Sequence, residues 1–319
     1  MGAVNPTSSF LAAGQMPWKL LRHQSAVVDG RIVPVHLQFS PTNRCNGNCS
    51  WCSCYRVDRA KEMPIEEVGD MLRYFRDLGT KAVTITGGGE PTIHKNFAEI
   101  LSLCKTLGIG VGLVTNGLSW RDAPPPQEAR DIVWMRVSAV EGGLLSNPGL
   151  LATIARQLPT VAIGVSYTVN GHPDIDNARE VCLIAEKEKS VTHVRFVQEL
   201  MELPSIGLRT AQESLSAFPK AFFQWRDRFS AGCRSCLISL VKPIVDADGM
   251  VYPCCGTQYA LGFQKKDLGI MPPSMSMGHW SQFHKGGPFD GGVCKRCYYQ
   301  DYNVALARMT ENIIHEDFV

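Results

Sequence analysis

Three cysteines stand in the run Asn43-Arg44-Cys45-Asn46-Gly47-Asn48-Cys49-Ser50-Trp51-Cys52, a C-x3-C-x2-C spacing that lets three thiolates converge on one small centre. A four-iron cluster takes four ligands, so three cysteines leave one iron open for something else to bind. An open metal position marks a reactive site, whereas purely structural sites are closed. The same residues also suit a zinc ion, with Cys54 or His23 as fourth ligand, or thiols buried as small hydrophobes. A second group lies toward the end of the chain. Cys236 and Cys254 bracket an apolar strand pair that turns at Asp246 to Gly249, and Cys294-Lys295-Arg296-Cys297 adds a C-x2-C. Cys233 and Cys255 nearly duplicate Cys236 and Cys254, so spacing leaves the ligand choice open, and a four-cysteine zinc ribbon fits as well as a fully ligated iron–sulfur cluster. Between the two groups, Gly87-Gly88-Gly89-Glu90-Pro91-Thr92 follows a strand. Such glycines allow positive φ and close backbone approach, leaving main-chain groups to bond a ligand's ammonium or carboxylate, although a plain tight turn uses the same residues.

These residues need a scaffold, and the chain is long enough to supply one. It has 319 residues, 45% of them hydrophobic and 19% charged, which excludes disorder and predicts one large barrel with an appendage or about two folding units. Lys and Arg exceed Asp and Glu by 32 to 30, a net +2 that gives no global field for gripping a nucleic acid or an anionic membrane. No apolar run approaches the ~20 residues that span a bilayer, and no secretory start is present, so the expectation is a cytoplasmic protein without membrane contact. Twelve cysteines in a reducing compartment point to metal or redox work rather than disulfides.

From Val35 short β-branched runs alternate with amphipathic stretches, the pattern of βα units around a parallel sheet. The strands are expected at Val35 to Phe39, Ala82 to Thr86, Gly110 to Thr115, Ile132 to Ser138, Val161 to Thr168 and His193 to Gln198. Helices are expected at Ile65 to Leu78, Phe97 to Leu107, Leu150 to Gln157 and Ile175 to Glu188, with a last long amphipathic segment at Ala211 to Phe229. The fold class is therefore α/β: a partial (β/α)6, TIM-like barrel over 35–230, after an irregular lead-in over 1–34 and before a small cysteine-rich α+β module over 231–319. In a parallel barrel the cysteine loop and the glycine loop emerge at the same end. His94 reads as a residue at a helix start, and Cys104 and Cys182 as core.

The C-x3-C-x2-C, with Trp51 before its last cysteine, resembles the signature of the radical S-adenosylmethionine (SAM) enzymes, and Gly88-Gly89-Glu90-Pro91, 36 residues beyond Cys52, resembles that family's SAM-binding GGEP segment. The resemblance implies a [4Fe-4S] cluster on Cys45, Cys49 and Cys52 whose open iron chelates SAM. It also implies reductive SAM cleavage to a 5'-deoxyadenosyl radical, hydrogen abstraction from substrate, and a flavodoxin- or ferredoxin-type electron donor. Thr115-Asn116-Gly117 and Arg136-Val137-Ser138 are similar to later family segments, which adds Asn116 and Ser138 to Gly88, Gly89, Glu90 and Pro91 as SAM contacts; Ser166 and Arg195 occupy similar strand-end places. Gln38, Glu141, Gln198 and Glu199 are strand-end residues that could face substrate.

The tail's C-x12-G-x4-C followed by C-x2-C is similar to the "twitch" form of the SPASM auxiliary-cluster module, which implies a second [4Fe-4S] cluster on Cys236, Cys254, Cys294 and Cys297. The reaction expected first is oxidation or rearrangement of a small polar substrate. Modification of a nucleobase or nucleotide, free or in nucleic acid, is a second reading, with Arg226, Arg228, Arg234, Lys265, Lys266, Lys285, Lys295 and Arg296 near Trp225, Trp280, Tyr298 and Tyr299 as the residues that could grip it. A peptide maturase and a non-enzymatic zinc or iron–sulfur protein complete the alternatives.

Overall fold

A computed structural model of the chain describes residues 27–28, 31–199, 206–225, 229–262 and 269–310. Most of the lead-in, with His23, lies outside them, as do Arg226, Arg228, Lys265 and Lys266. At the end of the lead-in β1 (Val27–Val28) pairs antiparallel with β2 (Arg31–Ile32). From β3 (His36–Phe39) the expected pattern takes hold. β4 (Ala82–Ile85), β5 (Gly110–Thr115), β6 (Trp134–Ser138), β7 (Ala162–Val169) and β8 (Val191–Gln198) each pair parallel with the strand before. The intervening helices are α1 (Ile65–Leu78), α2 (Phe97–Thr106), the short α3 (Ser119–Asp122), α4 (Gly149–Gln157) and α5 (Ile175–Lys187). The bounds of α1 and β5 are those expected from the sequence, and the other expected elements differ by one or two residues.

Element ends follow local chemistry. Glu66 and Glu67 sit in the first turn of α1, where they suit the helix dipole, and the helix stops at Gly79, whose φ of 116° lets its amide return to Arg76 O. One expectation is corrected. The segment 211–229 is not a single amphipathic helix: α6 (Ile206–Leu215) ends before Pro219, and β9 (Ala221–Gln224) follows as a seventh parallel strand, paired with β8. Proline cannot continue a helix, and Phe223 instead stacks on Phe196 of β8 at 5.3 Å and 17° between rings.

Strand alternation sorts the side chains. Leu37, Phe39, Val83, Ile85, Leu113, Met135 and Val137 are fully buried in one core with Met71, Leu72 and Phe75 of α1. With a period of two, Gln38, Thr84, Arg136, Ser138, Ser166 and Arg195 occupy the opposite face, the inside of the half-open barrel.

The tail contributes α7 (Ile238–Val241), the hairpin β10 (Ile244–Val245) and β11 (Val251–Tyr252), and α8 (Gln300–Thr310). The hairpin turns as expected: Gly249 has φ 78° and donates to Asp246 O at 2.9 Å. β10 pairs parallel with β3, so the tail extends the barrel sheet into nine strands, ordered β11-β10-β3-β4-β5-β6-β7-β8-β9. Val245 and Val251 join the barrel core, while Ile238, Val241, Tyr299 and Leu306 form a separate small core of the tail. No helix among the described residues is long and apolar enough to cross a membrane.

Candidate functional site

The cysteine loop leaves the end of β3 and is closed at its base. Asn43 N donates to Lys61 O at 2.9 Å, Met63 N to Pro41 O at 2.9 Å, and Thr42 bridges Glu62. Arg44 adds a fork onto one oxygen of Glu62, at 3.0 and 2.6 Å. Within this frame Cys45, Cys49 and Cys52 are half-buried and stand outside any disulfide. The amide two residues on donates to the sulfur at two of them, Gly47 N to Cys45 Sγ at 3.4 Å and Cys54 N to Cys52 Sγ at 3.3 Å. Burial, with the neighbouring Cys52 and Cys45, pushes the Cys49 thiol up to about 11. Burial also raises Cys45, whereas the hydrogen bond from Cys54 holds Cys52 below an ordinary thiol.

The glycine loop is laced directly to this segment. Gly89 N donates to Thr42 O at 3.1 Å and Glu90 N to Arg44 O at 2.8 Å. A Cβ on Gly89 would lie 1.9 Å from Arg44 O, and one on Gly88 would lie 2.0 Å from Asn43 Oδ1. The glycines therefore admit the cysteine loop itself, and two of the amides at this turn are spent on holding it.

Glu90 is buried, and its carboxylate is a strut. One oxygen accepts from Thr92 N, Thr92 Oγ1 and Thr115 Oγ1 at 3.1, 2.7 and 2.6 Å, and the other from Asn116 N at 2.7 Å. Burial raises its pKa and these four donors pull it back. Pro91 opens a one-turn helix that Glu90 caps. Asn116, at the end of β5, reaches back to the cysteine loop, donating to Asn46 Oδ1 at 2.8 Å and lying 3.9 Å from Cys45 Sγ. The expected contacts Gly88, Gly89, Glu90, Pro91 and Asn116 thus share one end of the barrel with Cys45, and His94 is structural there, bonded to Met63 O and Asn96 N.

Inside the barrel, Ser138, Ser166 and Arg195 fall in one register layer. Arg195 donates to Ser166 Oγ at 2.6 Å and to Gln224 Oε1 at 3.2 Å. One layer below, His193 lies over Gly164, where a Cβ would meet its ring at 2.4 Å. Burial, with Arg136 and Arg195, pushes His193 down to about 4, so it is neutral at pH 7. Gln38 Oε1 is buried and has no hydrogen-bond partner among the described residues. Gln198 pairs with Val169, on the face away from Arg195, while Glu141 is exposed at the cysteine-loop end and helps raise Cys49.

In the tail, Cys233, Cys236, Cys254, Cys294 and Cys297 line one small cavity with Tyr259, Arg296 and Asn303. The two duplicates separate here. Gly256 N donates to Cys254 Sγ at 3.3 Å, and Tyr299 N to Cys297 Sγ at 3.3 Å, the same i+2 turn seen in the cysteine loop. Cys255 instead faces Tyr299 OH at 3.1 Å, and Cys233 spends its thiol on Ser235 O. Burial raises Cys236 to about 12 and Cys294 to about 11. Among the described residues no three His, Cys, Asp or Glu side chains are drawn together tightly enough to share a single metal ion. Soft thiols, most of them half-buried and four of them receiving backbone N–H donors, are nevertheless a donor set that fits iron–sulfur ligation at both places.

Residues that sequence reasoning missed are Arg59, whose guanidinium joins the two loops, and Gln258, which donates to Cys54 Sγ at 3.2 Å and ties the tail to the cysteine loop. Neither sits in a periodic element or a spaced motif, so no sequence signal marked them.

Residues 39–145, a third of the chain, match the family model of the Radical SAM superfamily, which supports a radical SAM protein. The GTP 3',8-cyclase of Actinobacillus pleuropneumoniae serotype 7 is 42% identical over 89 residues, 26% of this chain and 26% of the cyclase. A probable GTP 3',8-cyclase of Pyrococcus abyssi is 37% identical over 83 residues, 26% of this chain and 27% of that one. The chain thus spans about a quarter of the length of the curated relatives it matches. The structure is similar to Streptococcus suis SuiB bound to S-adenosylmethionine, with 15% identity, TM-score 0.53, and coverage of 81% of this chain and 68% of that one. It is also similar to anSMEcpe with bound AdoMet and Kp18Cys peptide, with 17% identity, TM-score 0.50, and coverage of 86% and 98%. These likenesses show the fold alone, an α/β partial barrel.

Proposed function

We propose that the chain is a radical SAM enzyme that takes a hydrogen atom from a small polar substrate held inside the barrel. The observation that carries this reading is the lacing of the cysteine loop to the glycine loop by hydrogen bonds from Gly89 to Thr42 and from Glu90 to Arg44, an approach that a Cβ on Gly89 would block. Cys45, Cys49 and Cys52 would hold a four-iron cluster, and Gly88 to Pro91, Asn116, Ser138, Ser166 and Arg195 would surround SAM. When bound, the cluster supplies the electron that splits SAM, and SAM the carbon radical that removes the hydrogen atom. The chain's own part is orientation. Glu90 fixes the glycine loop against β5, and Asn116 fixes Asn46 and Cys45.

The division at 230/231, with a tail module carrying a second four-iron cluster on Cys236, Cys254, Cys294 and Cys297, belongs to the same proposal. A cluster fully ligated by protein thiolates cannot take substrate directly, so its role would be electron transfer. The electron for SAM cleavage would come from a flavodoxin- or ferredoxin-type donor. A nucleotide as the substrate is favoured by one observation, that relatives matching about a quarter of the chain are named GTP 3',8-cyclases.

Dithionite-reduced, anaerobically reconstituted protein is expected to release 5'-deoxyadenosine from SAM, and Cys49→Ala is expected to release none. Release by Cys49→Ala at the wild-type rate would contradict the assignment. GTP is expected to raise SAM consumption if the nucleotide reading holds, and no response to GTP would leave the small polar substrate as the reading.

A further inference from the structure

We infer that Arg59 is a positioning residue that clasps the cysteine loop to the glycine loop and holds a fixed positive charge beside the cysteine loop. The inference rests on the reading that Cys45, Cys49 and Cys52 carry the SAM-binding cluster. Arg59 Nη1 donates to Asn43 O at 3.1 Å and to Gly88 O at 2.9 Å, and Nη2 donates to Cys54 O at 3.3 Å. Asn43 lies two residues before the first cysteine, Cys54 two residues after the last, and Gly88 in the neighbouring strand's loop. One planar group therefore ties the start of the cysteine loop, its end, and the glycine loop. A guanidinium fork can serve three fixed acceptors at once, whereas a lysine ammonium is a point charge on a flexible stem.

The three acceptors are neutral carbonyls, which orient the guanidinium without cancelling its charge. Because Arg59 is bonded two residues before Cys45 and two residues after Cys52, its charge sits beside the loop that carries the three cysteines. Glu90 and Glu141 oppose it, each at one cysteine. Adding an electron to a thiolate-held cluster makes an already negative site more negative, so a fixed cation nearby eases the reduction. The same bonds keep the loop closed over its ligands.

The full chain, reconstituted anaerobically as wild type, Arg59→Gln and Arg59→Lys, distinguishes these roles without any turnover. Three quantities are read: iron per chain, the potential at which the SAM-responsive EPR signal of the reduced protein appears, and the rate at which an iron chelator removes that signal. Arg59→Gln is expected to shift the potential downward and to speed chelation about tenfold, the effect of losing charged hydrogen bonds. Arg59→Lys is expected to return the potential toward wild type while leaving chelation fast, because it keeps charge and loses the fork. Wild-type potential and chelation rate in Arg59→Gln would overturn the inference. Should Arg59→Gln fail to fold, a wild-type chelation rate in Arg59→Lys would overturn the clasp just as well. Iron in the wild type with no signal that responds to SAM would instead overturn the reading of the three cysteines, and the inference with it.

Discussion

At the scale of single residues, buried acceptors decide how the site is held. Glu90 gathers four hydrogen bonds in a site with almost no solvent. Glu90→Ala strands Thr115 Oγ1 and Asn116 N, so the apoprotein is expected to lose about 2–4 kcal/mol of stability in urea unfolding. A loss within experimental error would show that these donors find other acceptors. A second buried carboxylate gives a pH signature. Asp246, at the β10 turn, is pushed up to about 6 from an ordinary 3.8, chiefly by burial and then by Asp248. The folded state therefore keeps a proton that the unfolded state has released between those values, and stability falls as pH rises through that window. Asp246→Asn is expected to remove this fall, gaining about 1–3 kcal/mol at pH 8 and little at pH 4. Urea midpoints measured at the two pH values check it, and equal effects at both would count against the raised pKa.

At the scale of elements, the loops after β3 and β4 act as one unit because their backbones touch. Gly89→Ala places a methyl group into Arg44 O, and it is expected to open both lacing bonds and weaken SAM binding at least about tenfold. Equilibrium dialysis with SAM measures this, and an unchanged dissociation constant would show the lacing to be dispensable. Much of this unit was legible beforehand. The cysteine spacing, the glycines after β4 and the clean period of α1 are each carried by residues close together along the chain. What escaped is tertiary. β9 was hidden by an amphipathic pattern that runs across Pro219, and Arg59 makes its bonds across 16 and 29 residues from a turn without period. Cys254 and Cys255 are identical in type and adjacent, and only the amide of Gly256 and the hydroxyl of Tyr299 tell them apart. Of the main-chain groups expected to be free at the glycines, Gly89 N and Glu90 N instead bond the cysteine loop.

At the scale of the whole molecule, the tail is joined to the barrel as continuous sheet. β10 extends β3, Lys61 pairs with Asp248, and Gln258 reaches Cys54 beside the cysteine loop. Both cysteine groups therefore belong to one folded body. Cys294→Ala is expected to spare SAM cleavage at least in part while stopping product formation, a split that a merely structural tail would not produce. The most direct measurement is iron, acid-labile sulfide and zinc per chain on anaerobically purified protein, taken beside the Cys49→Ala variant. Two four-iron clusters predict about eight irons and eight sulfides in the wild type, falling to about four of each in the variant. Zinc without iron, or iron unchanged by Cys49→Ala, would contradict the assignment of the cysteine loop.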